Sequence, residues 1–100
     1  MKPLFFFRYV VPPKPDGPHA GRYGETYALC WIDAEGEREA DQRARSSVAE
    51  AGWRIISLDE SSPVFVEEVD REHPSYKFCV KAKQNGEHIF FVTGPQPKAN

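Results

Sequence analysis

One hundred residues, 40% hydrophobic and 28% charged, are enough for one domain with its own core and exclude wholesale disorder. A net charge of −2 excludes the basic field that draws in nucleic acid or an anionic membrane. Two cysteines exclude a disulfide-dense scaffold.

The chain opens on its most apolar run, Leu4 to Val11 (LFFFRYVV). Arg8 interrupts the run and Pro12-Pro13-Lys14-Pro15 follows it, with no small-residue cleavage site, so it is expected to be a strand rather than a targeting segment. No stretch of the chain approaches the roughly 18 apolar residues of a membrane-spanning helix. The expected setting is therefore cytoplasmic, with no membrane association. Residues 12–24 hold four prolines and three glycines and read as a long loop. Within it, glycine amides with Lys14, His19 and Arg22 offer a weak anion cradle.

Glu25 to Asp33 reads as a second strand, apolar on both alternating faces and therefore central. Ala40, Ala44, Val48 and Ala51 recur at helical spacing, predicting an amphipathic helix from about Gly36 to Ala51, closed by Gly52. Trp53 to Asp59 reads as a third strand, Glu60-Ser61-Ser62-Pro63 as a turn, and Val64 to Glu68 as a fourth strand. Pro74 sits in the first turn of a second helix that runs to Asn85 and closes at Gly86. His88 to Thr93 is the last strand, and residues 95–100 form a tail beyond a single domain spanning residues 1–94.

From Glu25 to Thr93 this order is β-α-β-β-α-β, which resembles the ferredoxin-like α+β sandwich in topology, with one extra strand in front. The resemblance implies an antiparallel sheet with both helices on one face. It carries no sequence motif and so implies no activity.

Chemistry-bearing residues are sparse. His19, His73 and His88 have no partner at ligand spacing, so neither a metal nor any other cofactor is expected. Cys30 and Cys79, each between apolar neighbours, read as buried and inert. The cluster of Glu67, Glu68, Asp70 and Glu72 reads as a solvated surface suited to a helix N-terminus. Tyr27, Trp31, Phe65 and Phe90 suggest base stacking only until the acidic balance and missing RNA-recognition pattern are counted.

If both helices cover one sheet face, the other exposes several aromatics, more than a monomer usually tolerates. The expectation is a small interaction or dimerisation module without catalytic machinery, burying that face against a second copy or a protein partner. The alternative is a small dimeric enzyme or ligand-binding protein with a pocket between sheet and helices. The candidate binding residues are Trp31, Arg8, His88 and Arg22, and none is assigned a catalytic role.

Overall fold

The structure, a computed structural model, describes residues 2–12 and 26–93. It is an α+β fold in which a four-stranded antiparallel sheet carries two helices. The strands are β1 (Leu4–Val10), β2 (Thr26–Ile32), β3 (Ser57–Val64) and β4 (Glu87–Thr93). The helices are α1 (Glu37–Glu50) and α2 (Tyr76–Asn85), with a single 3-10 turn at Val66–Glu68 before α2. Most of the expected 12–24 loop, including Arg22, and the expected tail lie outside the described residues.

The strand order is β3-β1-β2-β4. β1, expected to precede the βαββαβ core in the chain with no position in the sheet assigned to it, is one of the two central strands. It pairs with β2 on one side (Phe7 opposite Cys30) and with β3 on the other (Phe7 opposite Ser61). The two short strands expected at 53–59 and 64–68 are replaced by one, β3, which runs straight through the expected turn. β3 lies at the sheet edge with most of its residues exposed, so its serines keep their water and Pro63 breaks no second ladder.

The helices occupy opposite faces, where the resemblance implied a shared one. Alternation along β1 and β2 divides the interior into two cores. Phe7, Tyr9, Val11, Ala28, Cys30 and Ile32 point one way, and Ala40, Ala44 and Val48 of α1 pack onto them. Three small side chains in a row let the α1 backbone lie close to the strands. Leu4, Phe6, Leu29 and Trp31 point the other way, beneath Phe78, Cys79 and Ala82 of α2. The face expected to be bare carries a helix over part of its area, so neither face of the sheet is left without a helix.

α2 ends at Gly86, whose φ of +90° is open to glycine at little cost and whose N–H donates to Ala82 O at 2.8 Å. Arg43 of α1 reaches this junction, donating to Asp33 O at 2.8 Å and to Gly86 O at 2.9 Å. One guanidinium thus ties α1 to the end of β2 and to the link between α2 and β4. Among the described residues no helix is long and apolar enough to cross a membrane.

Candidate functional site

α2 is only ten residues long and covers only part of its face. It sits over the rung joining Trp31 to His88, at the end of the sheet where Leu4 lies. Among the described residues no helix covers the other half of that face. Residues directly opposite one another in an antiparallel pair share a face, so Arg8, Tyr27, Leu29, Phe90 and Val92 all belong to the α2 side.

Two adjoining clefts mark the boundary between the covered and open halves, with Arg8 and Leu29 in the walls of both. The first, about 390 Å³, lies between the sheet and the N-terminal end of α2. Phe6, Trp31, Val64 and Phe78 give it an apolar lining, and His73 and Ser75 stand at its rim. Trp31 is its back wall, with ring centroids 5.1 Å from Phe6 and 5.2 Å from Phe78. The second cleft, about 370 Å³, runs over the open half between Tyr27, Val92 and Asp59.

Arg8 is fixed by an irregularity in the β1–β3 ladder. Arg8 faces Glu60 but Tyr9 faces Leu58, so Asp59 is an extra residue on β3. The bulge brings two carboxylates to one guanidinium: Nε donates to Asp59 Oδ2 at 2.7 Å, and Nη1 lies 3.6 Å from Glu60 Oε2. The hydrogen bond to Asp59 raises the Arg8 pKa above its ordinary value. The guanidinium carbon also stands 6.0 Å from the Tyr27 ring centroid. Arg8 is therefore a neutralised, oriented group with little free charge to offer an anion.

His88 lies behind Phe78, stacked on it at 5.0 Å with the ring planes 11° apart. Its Nε2 is buried without a hydrogen-bond partner. Burial, with a smaller contribution from the Lys81 charge, lowers its pKa and favours the neutral imidazole. Of the four residues singled out from sequence, Trp31 and Arg8 meet in the cleft and His88 supports its wall. Arg22 lies outside the described residues.

Sequence reasoning missed Phe6, Phe78, Asp59 and the His73–Ser75 pair as members of this site. The signal for Asp59 was absent, because a bulge leaves no pattern in a string of polar residues. Ser75 Oγ lies 2.8 Å from His73 Nδ1, and the Ser75 N–H also donates to that nitrogen at 3.1 Å. Nδ1 is thus the acceptor of that N–H. A hydroxyl beside an imidazole is the raw material of a nucleophile and its base. Here the same nitrogen is shared with a backbone donor, which fits its role in shaping the entry to α2.

Among the described residues no group of three or more His, Cys, Asp or Glu side chains is placed to hold a metal ion. The thiols lie in different cores, Cys30 beneath α1 and Cys79 beneath α2, and both are free. Burial pushes the Cys30 thiol up to about 12 and raises that of Cys79 too, which suppresses the reactive thiolate. Compared with family models, with curated proteins and with solved structures, the chain matches none, so the site is read from its own geometry.

Proposed function

We propose that this protein is a binding module whose cleft beside α2 holds bulky apolar side chains of a basic, extended partner segment. The observation that carries the reading is the pairing of an aromatic-lined cleft with an acidic flank. In residues 57–72, which form β3 and the approach to α2, Asp59 and Glu60 are engaged by Arg8, which leaves Glu67, Glu68, Asp70 and Glu72 against Arg71 alone. An apolar floor supplies burial, worth roughly 1.5–3 kcal/mol for each large side chain fully removed from water. The acidic flank steers a partner carrying lysine or arginine and discriminates against an acidic one.

The test is titration of the isotopically labelled protein with an extended peptide alternating phenylalanine and lysine. Amide shifts are expected at Arg8, Leu29, Trp31 and residues 73–78, weakening as salt is raised. A peptide with glutamate in place of lysine should bind at least tenfold more weakly. Equal binding of the two peptides, or shifts scattered away from the cleft, would overturn the reading. A second reading, a pocket for a small apolar ligand, is favoured by the size of the first cleft, which lies within the range of ligand sites.

A further inference from the structure

The two edges of the sheet are built differently. β3 carries Asp59, Glu60, Pro63 and a bulge, each a device that discourages pairing with another strand. β4 has neither proline nor bulge, and its one carboxylate, Glu87, stands at its first residue. Its sequence is Glu-His-Ile-Phe-Phe-Val-Thr, its register with β2 runs unbroken from Ile32–Glu87 to Thr26–Thr93, and among the described residues β2 is its only neighbour in the sheet. Two large apolar side chains on it, Phe90 and Val92, are 43% and 42% exposed. Such an edge presents a row of backbone donors and acceptors ready for another strand.

We infer that β4 pairs antiparallel with β4 of a second copy, joining two sheets into one of eight strands. This inference stands apart from the cleft reading, since it rests on the sheet edge and not on the cleft. A two-fold axis at Phe90 sets Phe90 against Phe90 of the second copy. It also sets Ile89 against Phe91 of that copy, His88 against Val92, and Glu87 against Thr93. Every apolar side chain then meets an apolar or aromatic one, and no two like charges face each other. The same axis separates the helices. Each α2 lies over the Trp31–His88 rung, toward the Glu87 end of its own β4, so the two α2 helices stand at opposite ends of the seam. The guarded β3 edges become the outer rims, so assembly closes at two copies instead of growing into a fibre.

Sedimentation of the full chain at micromolar concentration tests the seam, with twice the 11.4 kDa chain mass expected. The double variant Phe90→Lys, Val92→Lys places lysines against each other across the axis and should halve that mass while keeping the circular dichroism of the parent. The control Ile56→Lys, Leu58→Lys, which alters exposed apolar residues at the β3 edge, should stay dimeric. Hydrogen exchange of the unmodified chain gives a readout that needs no variant. Amides of Ile89 to Val92 should become more protected as concentration rises, and those of β3 should not. A monomeric parent, a folded β4 variant that still dimerises, or β4 amides indifferent to concentration would each overturn the proposal. Failure of the peptide titration would leave it standing, and its own failure would leave the cleft reading standing.

Discussion

Phe6 and Phe7 are neighbours in the chain and serve different cores. Phe7 is 1% exposed beneath α1, where its ring stacks on Tyr9, whereas Phe6 is half-buried against Trp31 on the α2 side. A central strand covered on both faces has no polar side to offer. That is why the run around them is so apolar.

The two positions should respond differently to truncation. Phe7→Ala opens a cavity in the larger core and should cost about 3–5 kcal/mol. Phe6→Ala removes a cleft wall already in contact with water and should cost clearly less, while weakening peptide binding at the cleft. Urea denaturation of the two variants beside the parent measures the difference. Equal losses would show that the α2 side is as tightly sealed as the α1 side.

Arg43→Ala removes two charge-assisted hydrogen bonds to backbone carbonyls and should cost about 1–2 kcal/mol, the partial exposure of the side chain holding the figure down. Arg43→Lys keeps the charge but loses the fork that reaches both oxygens, so it should recover only part of the loss. Gly86→Ala acts at the same junction through the backbone, forcing a Cβ into a φ of +90°, and should cost about 1–2 kcal/mol. Thermal denaturation ranks the three.

His88 makes stability depend on pH in a fixed direction. Its folded pKa lies below the ordinary imidazole value of 6.5, so the unfolded chain binds more protons in the window between the two. Its contribution is complete above pH 6.5 and is lost as pH falls through the folded value. The urea midpoint should therefore drop on acidification from neutrality. His88→Phe keeps an aromatic ring against Phe78 and should flatten that part of the profile. An unchanged slope in the variant would assign the dependence to another group.

Both cysteines should resist alkylation in the native protein and react fully once urea unfolds it, because burial keeps each protonated and out of reach. Mass spectrometry after iodoacetamide treatment counts the modified thiols. Oxidation should produce no internal disulfide, since the sheet separates Cys30 from Cys79.

β1, β2, β4 and the two helices were legible in the sequence because each carries a strong period or a glycine or proline at its end. The segment from Trp53 to Glu68 was not. Ser61-Ser62-Pro63 has the composition of a turn, yet it lies within an edge strand, where one ladder suffices and polar side chains stay wet. The helix placement was missed for a related reason. Apolar residues on both faces of β1 and β2 establish that both faces are covered, but alternation is silent on whether the cover is a helix or another molecule. Trp31 and Arg8 were found in the cleft because an aromatic and a cation in apolar strands stand out. Asp59 and Ser75 reach it through a bulge and a helix entry, which are matters of backbone geometry.

The two cores lie on opposite sides of the sheet, and one guanidinium bridges the elements that seal them. While Arg43 holds Gly86 O, α2 cannot peel from its side without disturbing α1 on the other. The smaller layer thereby borrows the cooperativity of the larger, and the molecule should melt as one unit. Cut that tether, and the α2 layer becomes a separate unfolding unit that opens first.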